Sequence, residues 1–457
     1  MARHVQAVVI GAGPGGYVAA LRLAQHGIET ALIERDKIGG TCLHRGCIPT
    51  KALIKSAYLS EQIKQAAAFG LNAGSVAVDM PQVQARSQAV VDQLRKGIEF
   101  LLAKRRVQVI MGQAEFQDEH RVRVNNEDIT FDQAIIAVGS RPAGLAHIKP
   151  DPGNGILTSD ELVRMEQVPS RLLIIGGGVI GCEFAYLCAA LGSSVTVVEL
   201  TEQLIPQEDP DAGRFLAAEL KKKGVSVLTK TSVTKITRDQ QGIQCSLSSG
   251  SEITADAVLL AVGRTPNTDT CGIERFGITG ERGIIKVNEF LQTRIAHLYA
   301  IGDSTGSWWL AHVASAQAKT AADAIAGIKQ PMDYQAIPRC IYTHPEIAGC
   351  GLTETQAKEQ NISVRVGKFP FSALGRAVIE QETRGMVKII VQIEDDRILG
   401  ASVYGPGATE LIAELSVAVR MQMTSSQLGD VIHAHPTLSE AVMEAAQAVS
   451  GRAIHTL

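Results

Sequence analysis

One 30-residue pattern occurs twice in this chain, as QAVVIGAGPGGYVAALRLAQHGIETALIER (Gln6–Arg35) and as RLLIIGGGVIGCEFAYLCAALGSSVTVVEL (Arg171–Leu200). Each copy reads as a short apolar strand, G-x-G-x-x-G, an Ala/Leu-rich helix and a second strand running into a glutamate. The glutamate, Glu34 or Glu199, lies 23 positions after the first glycine, Gly11 or Gly176. The first glycine permits a tight turn, the second (Gly13, Gly178) lets a diphosphate approach the backbone, and the third (Gly16, Gly181) lets helix pack on strand. The helix N-terminus offers free N–H groups to phosphates, and the acid accepts hydrogen bonds from a ribose. A single glycine motif can be mere packing. Two copies in the same strand, helix and acid context predict two dinucleotide sites.

The rest of the chain fits an α/β protein built on two Rossmann-like units. TFDQAIIAVGSRP (Thr130–Pro142) and ADAVLLAVGRTPN (Ala255–Asn267) are apolar strand runs, one after each motif, each closed by A-V-G and a proline turn. TRIAHLYAIGDSTG reads as a further strand ending at Gly302-Asp303. From about Pro338 amphipathic helices mix with alternating strands such as MVKIIVQI, which predicts a separate α+β domain. The expected division is 1–145 and 146–268 for the two nucleotide domains, 269–337 for a central domain completing the first site, and 338–457 for an interface domain. A chain of 457 residues with 45% hydrophobic content can supply cores for all of these.

Two stretches imitate targeting segments. The N-terminus has basic residues followed by apolar ones, and Leu172–Val198 is nearly uncharged, but each carries a glycine cluster and the second holds Glu183. Strand, turn and helix explain both better than a signal peptide or membrane span. A net charge of −3 points away from nucleic acid. Eight cysteines in so long a chain are too sparse for a secreted disulfide framework, so a reducing cytoplasm is the expected location.

Cys42 and Cys47, in GGTCLHRGCIPTK, follow Glu34 closely and should lie beside the first bound dinucleotide. Cys47 precedes a helix expected to begin near Pro49, where the helix dipole favours thiolate. Metal binding and inert structural thiols stand as alternatives to a reversible disulfide. Against metal, the pair has no second pair or histidine set in reach, although His44 lies between the thiols. A dithiol releases two electrons and a nicotinamide takes them as hydride. A flavin couples the two chemistries, so FAD is expected at the first site and a nicotinamide at the second. Glu199 would repel a 2′-phosphate, and LTEQLIPQ after it offers no Arg or Lys, which favours NAD over NADP.

These motifs, with YAIGD, LAH and HAHPTLSEAV, closely resemble the dihydrolipoamide dehydrogenases, a family of flavin-dependent disulfide reductases, over essentially the whole chain. The resemblance implies roles. Cys42 would be the interchange thiol and Cys47 the thiol against the flavin. Lys51 would lie near the flavin beside Glu183, and Asp303 would hold the ribityl hydroxyls. Gly112 and Ala311 would make backbone contacts to FAD, and Val233 and Gly263 to NAD. His435 would be the base that accepts substrate thiol protons, oriented by Glu440, while His433 would be structural. The resemblance further implies a homodimer, with the base donated across the interface. The partners would be lipoyl domains of the acyltransferase subunits of 2-oxo acid dehydrogenase complexes, or the carrier protein of glycine cleavage.

Two positions depart from the family's usual pattern: His44-Arg45 between the cysteines, and Trp308-Trp309 before LAH. His44-Arg45 would lower a thiol pKa or form a solvated loop. Two rival functions fit parts of the same pattern. A glutathione- or mercuric-reductase-like enzyme using NADPH would want basic residues after the second acid. A non-catalytic nucleotide-binding subunit would have no need of Cys42, Cys47 and His435 together.

Overall fold

The computed structural model describes residues 3–456. Strand Arg3–Ile10 enters the first glycine motif, helix Pro14–Gln25 follows, and Thr30–Glu34 returns parallel to Arg3–Ile10. The sheet is extended by Gln108–Met111 on one side and Glu127–Ile136 on the other, both parallel to their neighbours. Leu298–Ala300 then pairs parallel with Ala134–Ile136 across more than 160 residues of intervening chain, which brings Gly302 and Asp303 to the same sheet end as Gly11. Parallel strands buried on both faces read as continuous apolar runs, and Ala7–Ile10 and Ala31–Ile33 do.

The second unit repeats the plan. Its five strands run in the order Ser226–Leu228, Ser194–Val198, Arg171–Ile175, Ala257–Leu260 and Ile156–Leu157, all parallel. Helix Val179–Ala190, the imitation membrane segment, is buried along most of its length because it packs between its own sheet and helix Cys47–Lys64 of the first unit. Among the described residues no helix is long and apolar enough to cross a membrane. The two A-V-G tails meet: Ser140–Pro142 pairs antiparallel with Arg264–Pro266, Thr265 opposite Arg141 at the centre.

From Arg339 onward five antiparallel strands form one sheet, with helices Ala408–Arg420 and Glu440–Ala448 packed on it. One expectation needs correction here. Met386–Gln392 does not alternate between core and solvent, because five consecutive residues, Val387–Val391, are buried. Lys388 lies in that run and is 2% exposed, held by Asp209 at 2.9 Å, Asp211 at 3.1 Å and Glu354 at 2.8 Å. A buried ammonium is tolerated only with such partners, and this one ties the last sheet to the start of helix Pro210–Lys222 in the second nucleotide unit.

Candidate functional site

Both glycine motifs are built alike. A Cβ on Gly11 would lie 2.3 Å from the Ala137 carbonyl, and one on Gly176 2.3 Å from that of Ala261. A Cβ on Gly16 or Gly181 would fall 1.7 or 2.0 Å from the carbonyl of Gly11 or Gly176. Glycine is therefore required at the first and third positions by the protein's own packing. The middle glycines differ: beside Gly13 and Gly178 there is open space, at the N-caps of helices whose first-turn N–H groups have no intrahelical acceptor. That vacancy is what a diphosphate needs.

Each acid closes its own loop. Glu34 accepts from the N–H of Ala12 at 2.7 Å and of Asp36 at 2.8 Å, and Glu199 from Gly177 at 2.6 Å and Thr201 at 2.7 Å. Both carboxylates keep lone pairs free, since two oxygens offer about four acceptor sites. Burial pushes the Glu34 carboxyl up, opposed by the Ala12 hydrogen bond and by Arg35. Val233 is buried near the second motif, and beside Gly263, at φ +122°, the space is open.

The first motif opens on a cavity of about 910 Å³. Gly11, Gly13, Glu34, Cys42, Cys47, Lys51, Gly112, Glu183, Asp303 and Ala311 all line it, so residues up to 300 positions apart converge there. Cys42 and Cys47 form a disulfide with Cα atoms 4.8 Å apart. The helix begins at Cys47 itself, two residues before the expected Pro49, so the sulfur rides on its first residue. Lys51, one turn on, donates to both Glu183 oxygens at 2.8 and 2.7 Å, and the Tyr342 N–H reaches the same carboxylate at 3.1 Å. Among the described residues no group of His, Cys, Asp and Glu is arranged to hold a metal.

Two lining residues, Ser140 and Arg264, escaped the sequence reading. Ser140 donates to Asp303, and Arg264 donates to the Ser140 hydroxyl at 2.7 Å, so the second unit's tail braces an acid of the first site. The available signal was the repeated A-V-G tail itself. His44 and Arg45 do not form a solvated loop: His44 donates to the Ile38 carbonyl at 2.8 Å and Arg45 pairs with Asp36. Trp308 stacks on Tyr334, whose hydroxyl accepts from Gln317, which in turn accepts from the Gly302 N–H at 2.6 Å. Trp308 thus steadies the turn carrying Asp303.

Comparison with known proteins accords with this geometry. Residues 5–318 match the model of the pyridine nucleotide-disulphide oxidoreductases, and residues 337–446 match that family's dimerisation domain. The chain belongs to this family. Within it, the chain is 41% identical to a dihydrolipoyl dehydrogenase of Bacillus subtilis over the full length of both, and 41% identical to that of Geobacillus stearothermophilus, covering 99% and 98% of the two chains. Among solved structures, LpdA of Mycobacterium tuberculosis superposes with a TM-score of 0.91 at 30% identity, over 97% of this chain and 99% of that one. The HOCl-induced flavoprotein disulfide reductase RclA of Escherichia coli gives 0.86 at 30% identity over 98% and 99%.

In this pyridine nucleotide-disulphide oxidoreductase the predicted pair His435 and Glu440 stands apart from the cavity. His435 does not line it, and its side chain is 77% exposed, with Nδ1 donating to Glu440 at 2.9 Å. Burial pushes the Glu440 carboxyl up, but the Thr437 N–H and His435 outweigh it and hold the group below the usual carboxylate range. His433, by contrast, has a buried side chain donating to Glu414 at 2.8 Å. One chain therefore presents an oriented imidazole on its surface, within the dimerisation domain.

Proposed function

We infer that this chain is a dihydrolipoyl dehydrogenase, oxidising protein-bound dihydrolipoyl groups to the lipoyl disulfide with NAD as acceptor. The observation that carries this reading is the Cys42–Cys47 disulfide on a helix N-terminus, lining one cavity with the first glycine motif and the Lys51–Glu183 pair. The residues present fit FAD: open space at Gly13, the Glu34 carboxylate for a ribose, and Asp303 for the ribityl hydroxyls. Gly112 and Ala311 would add backbone contacts. Gly178, Glu199, Val233 and Gly263 would hold NAD on the second unit. When bound, FAD supplies a two-electron acceptor for the dithiol and a hydride donor for NAD.

The chain's own residues do the thiol chemistry. A substrate thiolate attacks Sγ of Cys42 and the Cys42–Cys47 bond breaks, leaving Cys47 as thiolate at the helix N-terminus, where the dipole stabilises it. The second substrate sulfur then displaces Cys42, so lipoyl disulfide leaves and the two enzyme sulfurs hold the electron pair. His435, oriented by Glu440, takes the substrate thiol protons. Its exposure in the dimerisation domain supports a homodimer in which each chain lends His435 to the other's cavity. The same reading assigns 1–145 to FAD, 146–268 to NAD, 269–337 to completion of the FAD site and 338–457 to the interface. Lipoyl domains of acyltransferase subunits or a glycine-cleavage carrier protein would deliver the substrate.

The test is a titration of the purified flavoprotein with dihydrolipoamide, followed by turnover with NAD and with NADP. A long-wavelength thiolate-to-flavin band and at least tenfold preference for NAD are expected. Reduction by NADPH with no response to dihydrolipoamide would replace this reading with a different disulfide reductase.

A further inference from the structure

The segment between the two cysteines is strapped down from outside itself. His44 donates from Nε2 to the Ile38 carbonyl at 2.8 Å. Arg45 pairs with Asp36, and its guanidinium lies 4.0 Å from Asp160, which stands on a short helix beyond the first nucleotide unit. Asp36 is itself fixed, since its N–H donates to Glu34 at 2.8 Å. Nε of Arg45 and Oδ1 of Asp160 are buried with no hydrogen-bond partner, although the side chains as wholes are 31% and 23% exposed. The backbone adds one bond, Arg45 N–H to the Thr41 carbonyl at 2.8 Å.

We propose that Arg45 is a positioning residue for the Cys42–Cys47 couple: by anchoring the intervening turn to Asp36 and Asp160 it keeps the two sulfurs close when they are reduced, and so favours the disulfide. This rests on the disulfide's being the redox-active pair. Reduction adds two electrons and two protons, breaks the S–S bond and frees the turn to open. The stability of the disulfide is set by how closely the reduced thiols are held. A strap that withholds the backbone freedom of about one residue shifts that equilibrium roughly tenfold. Charge alone would act in the opposite direction, because a cation near a thiolate favours reduction. Here the guanidinium already faces two carboxylates, which leaves little net field for the sulfurs.

The experiment equilibrates the holoenzyme with mixtures of reduced and oxidised dithiothreitol, which supplies the electron pair and both protons and closes to its cyclic disulfide. Free thiols are then counted by alkylation and mass spectrometry. Arg45→Gln is expected to be half-reduced at about tenfold lower ratio of reduced to oxidised dithiothreitol, about 30 mV for a two-electron couple. Asp36→Asn, which cuts the same strap and leaves the cation, should shift in the same direction, and Arg45→Lys should lie close to the wild type. Flavin absorbance and the melting temperature verify that each variant is folded. Opposite shifts for Arg45→Gln and Asp36→Asn would show that charge governs the couple and overturn the strap, as would unchanged midpoints in both. A general failure of dihydrolipoamide oxidation with these midpoints as expected would instead count against the proposed substrate and leave the strap standing.

Discussion

The two nucleotide units share a backbone plan and part company at two places. The first is inside the helix: five residues after the middle glycine the first unit has Val18, and the second has Glu183, 3% exposed. Valine there packs; glutamate reaches out of its own unit to hold Lys51 of the other. The second place is just past the acid, where the first unit turns into the cysteine segment and the second runs through Thr201–Asp209 into helix Pro210–Lys222. A duplicated fold has thus been divided between a unit that carries the redox pair and one that steadies it. The shared part is what nucleotide binding demands of a backbone, and the differing part is what electron transfer demands of side chains.

Making the second helix resemble the first gives the largest expected effect. Glu183→Val leaves Lys51 without its carboxylate and removes the acceptor of the Tyr342 N–H. Lys51 is about one third exposed, so the stability loss should be nearer about 2 kcal/mol than the 3–5 kcal/mol of a fully buried broken pair. Turnover should fall by about tenfold to a hundredfold with the flavin still bound. Stopped-flow reduction by dihydrolipoamide and a thermal melt read both, and unchanged reduction would mean that the pair does not serve the redox turn.

The two acids offer a cross-check of smaller size. Glu199→Ala should raise the KM for NAD about tenfold to a hundredfold through loss of a charge-assisted hydrogen bond worth about 1.5–3 kcal/mol, while flavin content is unchanged. Glu34→Ala should do the reverse, weakening FAD retention on dialysis and sparing the KM for NAD. If either variant damaged both sites, the units would not be independent in binding. The structure adds a detail to the nucleotide preference: Lys230, from the turn after the neighbouring strand, pairs with Glu202 at 2.6 Å. The segment following Glu199 holds no cation, yet folding brings one beside it.

The smallest effect concerns the seam between the units. His344 lies 4.4 Å, ring to ring, from Tyr58 of the cysteine helix and 6.4 Å from Tyr186 of the second unit's helix. Burial, aided by Lys223, lowers its pKa to about 4. Because the folded pKa lies below the unfolded value of about 6.5, the unfolded chain binds a proton that the folded chain refuses between those limits. Stability is then independent of this group above about pH 6.5 and declines as pH falls toward 4, by about 1–2 kcal/mol at pH 5. Melting curves of wild type and His344→Gln at pH 7.5 and 5 should differ in pH sensitivity by that amount. Equal sensitivity would place the titrating group elsewhere.

Much of the candidate site is legible in the sequence. The glycines, both acids, the cysteine pair and the His435–Glu440 pair sit in short contiguous motifs, because turns, helix starts and strand ends are governed by neighbours in the chain. What escaped was of another kind. Ser140 and Arg264 act on Asp303 through two tails that the sequence marks only as A-V-G and a proline turn closing a strand. His44 and Arg45 could not be assigned because their anchors, Ile38, Asp36 and Asp160, are chosen by how the turn folds back. Lys388 fell in a run read as an alternating strand, although its burial depends on carboxylates from 34 to 179 positions away.

The sequence by itself determined the two dinucleotide folds, the order of their elements and the identity of the redox thiols, since backbone conformation at glycines, local periodicity and the chemistry of a cysteine pair are properties of short segments. Only the tertiary structure decided that Lys51 would meet Glu183, that the tails of the two units would pair, and that His435 would face outward from the dimerisation domain, apart from the cavity. These depend on which surfaces pack together, and packing is settled by the shapes and charges of whole elements, which no window of the chain contains.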